Sequence, residues 1–223
     1  MSSVSTPVLN ESGSTSATRP FYKRKPILIG GVLLLIIASA LIWDEFFKYQ
    51  FFAKRFGEVV PGEIFRSGQI SVAMFEPTVR KHDIQVVIDL NGFDTTDSRQ
   101  VNEVETSKRL GIEHYRYRLD GDGRGDITEY ANAIEKLVEC QETGKPVLVH
   151  AAGAHRTGGV VACYRMLLED LPAEKAYKEM CSTDYGEVSK VACQFISTNI
   201  SRISQKNSFN VASSKRCLRN FHR

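Results

Sequence analysis

Residues 146–158 combine the residue types that bind an oxyanion. They read Pro-Val-Leu-Val-His-Ala-Ala-Gly-Ala-His-Arg-Thr-Gly. An apolar run that predicts a strand ends in small residues, and Arg156 then opens an amphipathic segment that extends to Leu168. Loop amides and a helix N-terminus stabilise an anion, and a guanidinium can contact two of its oxygens. The spacing therefore predicts a phosphate-binding loop, here called the phosphate loop, made of Ala151, Ala152, Gly153, Ala154, His155 and Arg156.

This segment resembles the phosphate-binding loop of the cysteine-dependent protein tyrosine and dual-specificity phosphatases, His-Cys-x-x-Gly-x-x-Arg-[Ser/Thr]-Gly, although its cysteine is absent. Residues 60–69, Val-Pro-Gly-Glu-Ile-Phe-Arg-Ser-Gly-Gln, are similar to the opening of many dual-specificity domains. With the Val-Ile-Asp-Leu run at 87–90 and the Arg-Thr-Gly-Gly-Val-Val run at 156–161, the likeness covers residues 58–185.

The missing cysteine leaves two alignments with the motif. In the first, His150 matches the family's histidine and the loop is one residue short, which suits the preceding strand better. In the second, His150 takes the place of the cysteine, with five residues between it and Arg156. The second alignment is favoured for the folded chain because it keeps every amide of the loop. His150 is then a candidate nucleophile, since imidazole can accept a phosphoryl group, but a buried structural histidine is the alternative.

The resemblance implies a mechanism that needs no metal or other cofactor. A thiolate attacks phosphorus, an arginine (here Arg156) binds the transferring group, and a hydroxyl (here Thr157) helps the thiolate to leave.

An aspartic acid on a neighbouring loop protonates the leaving group. Residues 120–126, here called the acid loop, supply candidates and are glycine-rich enough to act as a lid. Asp120 is the first choice and Asp122 the second. Asp126 is expected to cap the next helix instead. Calcium is not expected, because no EF-hand spacing follows. His155 is expected to be exposed and to tune substrate preference.

Composition restricts the function classes. The 223 residues suffice for one domain plus tails, and 42% of them are hydrophobic. A net charge of +3, with basic residues clustered at the two ends, does not indicate a nucleic-acid partner. Five cysteines without a Cys-x-x-Cys pair predict neither a disulfide framework nor a zinc site.

Alternating strand and helix patterns predict an α/β domain over residues 56–202. A mostly parallel sheet of four or five strands would carry helices on both faces, with ligands at the carboxyl ends of the strands. Strands are predicted at 64–66, 86–90, 114–119 and 146–150, and helices at 72–82, 98–110, 128–142, 156–170, 173–183 and 187–202. The basic tail, residues 203–223, is predicted to be disordered.

The N-terminal region predicts a single-pass membrane anchor. A Ser/Thr-rich segment, residues 1–26, is expected to be disordered, and the uncharged run 27–43 would span about 25 Å as a helix. Aromatic residues after it complete a predicted anchor at 27–47. Preceding basic residues place the N-terminus in the cytoplasm and the main domain outside. The alternatives are a buried helix and a signal peptide cleaved after Ala38-Ser39-Ala40.

Three functions compete at this stage. The first is a membrane-anchored tyrosine or dual-specificity phosphatase, impaired without its cysteine, that acts on a phosphorylated protein or on a small phosphomonoester such as an inositol phosphate. The second is a pseudophosphatase that binds phosphorylated partners without hydrolysis. The third is a scaffold whose loop binds nothing. Rhodanese-type sulfurtransferases also use an anion-binding loop, but they require the same absent cysteine.

Overall fold

A computed structural model describes residues 25–43, 53–182 and 188–206 of the chain. The chain divides into two units, Met1–Glu45 and Phe46–Arg223. Most of the N-terminal segment and of the tail, both predicted to be disordered, falls at residues 1–24 and 207–223, outside the described residues.

The first unit contains helix α1, Lys25–Ile42. Its 18 residues extend about 27 Å at 1.5 Å per residue. The helix ends at Ile42, whereas the predicted anchor extends to residue 47. Among the helices that the structure describes, none is long and apolar enough to cross a membrane. The transmembrane anchor predicted at 27–47 therefore has no counterpart among them.

The second unit is built on a five-stranded, mostly parallel sheet, as the sequence predicts. Its strands, in spatial order, are β1, β2, β5, β3 and β4, and only β1 and β2 are antiparallel. The strands β3 and β5 lie inside the sheet and are buried at every residue, which accounts for their continuous apolar sequence. The strand bounds are Gly57–Val60 (β1), Ile64–Gly68 (β2), Val86–Asp89 (β3), Glu113–Arg116 (β4) and Val147–Ala151 (β5).

Helices cover both faces of this sheet. Because side chains alternate along a strand, Val86 and Ile88 enter one core and Val87 enters the other. The larger core lies against α4 to α7, and the smaller core lies against α2 and the end of α3. The helix bounds are Val72–Lys81 (α2), Ser98–Leu110 (α3), Ile127–Glu142 (α4), Ala154–Leu168 (α5), Ala173–Ser182 (α6) and Val188–Lys206 (α7).

Local capping signals agree with the observed helix ends. The Asp126 carboxylate accepts a hydrogen bond of 2.7 Å from the Thr128 amide, so its predicted role as an N-cap is confirmed. Asp97 caps α3 in the same way, and Gly111 ends that helix in the left-handed conformation, at a φ of 70°.

Several boundaries differ from those that the sequence predicts. The strand expected at 114–119 ends at Arg116, and Leu119 instead forms an isolated bridge with Gly125. Helix α5 begins at Ala154 rather than at Arg156. The last helix continues to Lys206, into the segment predicted to be disordered, because Ile203 is fully buried in the larger core.

Candidate oxyanion site

The phosphate loop connects the carboxyl end of β5 to the first turn of α5. Ala151 completes the strand, Ala152 and Gly153 form the connection, and Ala154, His155 and Arg156 begin the helix. Gly153 is the N-cap residue, with a φ of −112° and a ψ of 151°. The first amides of a helix have no partner within the helix, so this edge of the sheet presents N–H groups suited to an oxyanion.

Arg156 is half-buried beside this connection. Its Nη1 donates a long hydrogen bond of 3.5 Å to the Leu90 carbonyl oxygen, and its buried Nε has no partner. A methyl group built at Gly153 would lie 3.8 Å from Nη2, so the guanidinium lies close to the loop backbone. Burial lowers the pKa of Arg156, and Asp89 and Asp120 oppose that shift. A partly desolvated guanidinium with an unused donor is well suited to bind an anion.

Asn91 attaches the loop to the end of β3. Its side-chain oxygen accepts a 2.8 Å hydrogen bond from the Ala152 amide, and its own amide groups donate to Asp89. The Asp89 carboxylate also accepts a 2.9 Å hydrogen bond from Nε of Arg116. The buried Asp89 is therefore compensated, and the chain Arg116–Asp89–Asn91 holds one loop amide in a fixed direction.

His150 lies in β5, directly before the loop in sequence, and is fully buried. Its Nε2 is 2.8 Å from Oε1 of Glu103, which is also 2.9 Å from Nε2 of His114. The imidazole thus contacts a carboxylate on α3 while Nδ1 has no hydrogen-bond partner. This buried position is the structural one that the sequence left as the alternative to a nucleophile.

Thr157 and His155 are both buried. The Thr157 hydroxyl donates a 3.4 Å hydrogen bond to the Ser67 carbonyl oxygen at the end of β2. His155 is only 9% exposed, so the prediction of an exposed histidine is wrong. The reason is the acid loop, because a methyl group built at Gly123 would lie 3.0 Å from the His155 Cβ.

The acid loop is held by its own hydrogen bonds. The Asp120 amide donates to the Arg124 carbonyl oxygen and the Gly123 amide to that of Asp120, each at 2.9 Å. The hydroxyl of the fully buried Tyr130 donates to the Gly123 carbonyl oxygen. Gly123 has a φ of 86°, and a side chain there would also meet Ala192 at 2.8 Å. These contacts anchor the middle of the loop to helix α4, which is unfavourable for a freely moving lid.

The two candidate acids differ in their partners. Asp122 forms a 2.7 Å ion pair with Arg124, and that hydrogen-bonded guanidinium lowers the pKa of Asp122. A carboxylate kept ionised in this way is a poor proton donor. Asp120 is exposed at the end of the loop nearest the sheet, and it is close enough to Arg156 to oppose the lowering of the arginine's pKa. Asp120 is therefore the better placed acid of the two.

Cys140 and Cys163, whose side chains the structure describes, are too deeply buried to supply a thiolate to this loop. Cys140 and Cys163 are buried and Cys193 is half-buried. Burial raises the pKa of the Cys140 thiol to about 11 and raises that of Cys163 further. Thiols with such values are protonated at neutral pH and inert.

One group of side chains among the described residues has the composition of a metal site. Ligand atoms of Asp89, Glu103 and His114 lie within 4.8 Å of one another. The Arg116 guanidinium lies 2.7 Å from the Asp89 carboxylate, however, and Glu103 already accepts from two histidines. A cation would have to displace these contacts and lie beside a guanidinium, so the residues do not fit a metal.

Sequence patterns missed Glu103 and Asn91. Glu103 lies in the middle of an amphipathic helix, where a glutamate normally faces solvent, and its helical spacing gives no sign of burial. Asn91 follows a predicted buried strand, so its place at the carboxyl edge of the sheet was a usable signal.

No protein-family model and no curated protein sequence matches the chain. Solved structures share its fold. The core catalytic domain of the PP-IP phosphatase SIW14 from S. cerevisiae has 22% sequence identity and a TM-score of 0.57, over 70% of this chain and 93% of that one. TpbA of P. aeruginosa has 15% identity and a TM-score of 0.54, over 70% and 92%. PTPMT1 in complex with PI(5)P has 15% identity and a TM-score of 0.51, over 68% and 99%. The chain therefore has the fold of the cysteine-dependent tyrosine and dual-specificity phosphatases.

The anchoring of the acid loop by Tyr130 leads to a first prediction. Tyr130→Phe leaves the buried Gly123 carbonyl oxygen without its donor. We therefore expect the free energy of unfolding, measured by urea titration, to fall by about 1–3 kcal/mol. Amide exchange at Gly123 and Arg124 should also accelerate more than exchange in the sheet, because the loop opens locally. Tyr164→Phe, which removes a hydrogen bond to Gln141, is the control and should leave acid-loop exchange unchanged. Equal exchange in both variants would contradict the anchoring role.

Proposed function

We propose that this chain binds phosphomonoesters at the phosphate loop and hydrolyses them slowly, as a phosphatase of the tyrosine and dual-specificity type that lacks its thiol. The observation that carries the proposal is Arg156, half-buried beside Gly153 at the start of α5, with an unused Nε donor. The first-turn amides of α5, which have no partner within the helix itself, add to the same positive potential. A pseudophosphatase that only binds phosphorylated partners is the second candidate, supported by the absence of cysteine from residues 146–158.

The similar structures suggest the kind of ligand. One is a phosphatase named for PP-IP, and another is bound to PI(5)P. We propose a phosphorylated protein or an inositol phosphate as the ligand of this chain. Its monoanionic or dianionic phosphate group would contact Arg156 and the amides of the loop.

The proposed catalytic roles follow from the positions of the side chains. Water would attack phosphorus directly as the bond to the leaving oxygen breaks. Arg156 would bind two oxygens of the transferring group, and Asp120 would protonate the leaving oxygen. The Thr157 hydroxyl, which donates to the Ser67 carbonyl oxygen of β2, would hold the start of α5 against the sheet. We propose no nucleophilic role for His150, because its Nε2 is engaged by Glu103 and its side chain is fully buried.

Binding of tungstate tests the site without requiring turnover. We expect Arg156→Ala to weaken tungstate affinity by at least about 30-fold, since a charge-assisted contact in a partly desolvated site contributes on the order of 2 kcal/mol or more. Isothermal titration calorimetry on residues 53–206 and on the full chain measures this. The matched control is Arg80→Ala, an exposed arginine at the last turn of α2. No binding by the parent chain would favour a scaffold whose loop is empty.

Restoring a thiol tests the proposed impairment. We expect the chain as it stands to hydrolyse p-nitrophenyl phosphate poorly, because covalent catalysis by a thiolate is lost. Insertion of cysteine between His150 and Ala151 should raise kcat by at least about 100-fold and confer sensitivity to iodoacetamide. His150→Cys should not, because position 150 is buried against Glu103. Rapid turnover by the parent chain, lost in His150→Ala, would contradict the proposal.

We further propose that helix α1 attaches the chain to membranes. Its described side chains expose a continuous apolar surface, including Ile29 at 68%, Leu34 at 69% and Leu41 at 66%. The full chain should sediment with lipid vesicles, whereas a chain that begins at residue 46 should stay in the supernatant. Recovery of the full-length chain in the soluble fraction would refute attachment, and a shortened chain that begins near Leu41 would indicate a cleaved signal peptide.

A further inference from the structure

Asp89 and Glu103 are the two buried carboxylates among the residues that the structure describes, and Glu103 contacts His150, directly before the phosphate loop. Glu103 lies in the middle of α3 with 1% of its surface exposed, and its Oε1 is the acceptor for two imidazoles. The two distances, 2.8 Å to Nε2 of His150 and 2.9 Å to Nε2 of His114, are ordinary hydrogen-bond lengths. Because Oε1 is a carboxylate oxygen, both Nε2 atoms must carry a proton in order to donate to it. Glu103 thus holds a proton on Nε2 of each ring.

This single carboxylate joins three elements of the fold. It lies on α3, His114 lies on β4, and His150 lies on β5. His150 is separated from the connection to α5 only by Ala151, and its carbonyl oxygen accepts a 3.0 Å hydrogen bond from the Leu90 amide. A shift of the His150 ring would therefore move the strand end from which the phosphate loop starts.

The charges around His150 favour its cationic form. Burial lowers the pKa of His150, but the Glu103 carboxylate raises it by more, and Asp89 also raises it. The pKa of His150 therefore rises to about 9. Arg116 acts in the opposite direction, and His114 faces the same carboxylate. Because the pKa is raised in the folded state, the ion pair stabilises the fold fully below about pH 6.5, and this contribution is lost as the pH rises through 9.

We propose that Glu103 is a positioning residue that fixes the entry of β5 into the phosphate loop through its ion pair with His150, and thereby sets the affinity of the loop for oxyanions. This inference rests on the proposed function, because it concerns the same loop. Protonated His150 also neutralises the buried Glu103 carboxylate, which would otherwise repel an anion, since Coulomb interactions are screened less there than in water.

Glu103→Gln is the decisive variant, because the amide oxygen can still accept hydrogen bonds while the charge is lost. At pH 8 we expect it to bind tungstate on the order of tenfold more weakly than the parent chain. The pH profile should also move. Affinity of the parent chain should fall near pH 9, where His150 loses its proton, whereas in Glu103→Gln it should fall at a much lower pH, because burial then opposes ionisation of His150 without the compensating carboxylate. NMR titration of the His150 ring measures the same change directly.

Two controls separate positioning from a general loss of stability. Glu105→Gln, an exposed site on the same helix, should match the parent chain in affinity and in pH profile. His114→Gln keeps the pair of Glu103 with His150, so it should keep the raised titration of His150. If Glu103→Gln does not fold, His150→Gln replaces it and should weaken binding without a pH-dependent fall between 6 and 9.

The outcomes distinguish this inference from the proposed function. If the parent chain binds tungstate and Glu103→Gln binds it equally well with the same pH profile, the role of Glu103 is overturned and the proposed function stands. If neither chain binds tungstate at any pH, both are overturned. Loss of binding in EDTA would overturn the positioning role in favour of a metal at Asp89, Glu103 and His114.

Discussion

The parallel pairing of β3 with β5 is the constraint on which the candidate site depends. In this register Asp89 lies opposite His150, so the residues that follow each strand emerge side by side at one edge of the sheet. Asn91 can then reach the Ala152 amide, and the Leu90 carbonyl oxygen can reach Arg156. A slip of one residue would reverse the faces of β5 and remove all of these contacts.

Two buried carboxylates, Asp89 and Glu103, stabilise this edge of the sheet. Asp89 is compensated by Arg116 and by Asn91, and Glu103 by two histidines. Burial of a lone carboxylate would cost several kcal/mol, so each of these acids requires its partners for the fold to be stable. The same contacts direct one loop amide and fix one strand end. Stability of the fold and geometry of the site therefore share the same interactions.

Oxyanion binding and covalent catalysis need different parts of the loop. Binding needs amides at a helix N-terminus and a guanidinium, and residues 152–156 contain both. Covalent catalysis also needs a nucleophile with a low pKa. His150 is held by Glu103, and the buried Cys140 and Cys163 thiols have raised pKa values. Residues 146–158 thus offer groups suited to an oxyanion and contain no cysteine that could divide hydrolysis into two steps.

The sequence by itself determined the parts of the molecule that depend on residues close together in the chain. The alternation of strands and helices, the mostly parallel sheet, the cap at Asp126 and the position of the phosphate loop follow from local patterns, and the structure agrees with them. Only the tertiary structure decided the burial of His155 under the acid loop, the contact of Glu103 with His150 across 47 residues, and the order of Ile203 in the last helix. Such contacts join segments far apart in sequence, and helical periodicity cannot reveal which polar side chain faces a buried partner rather than water.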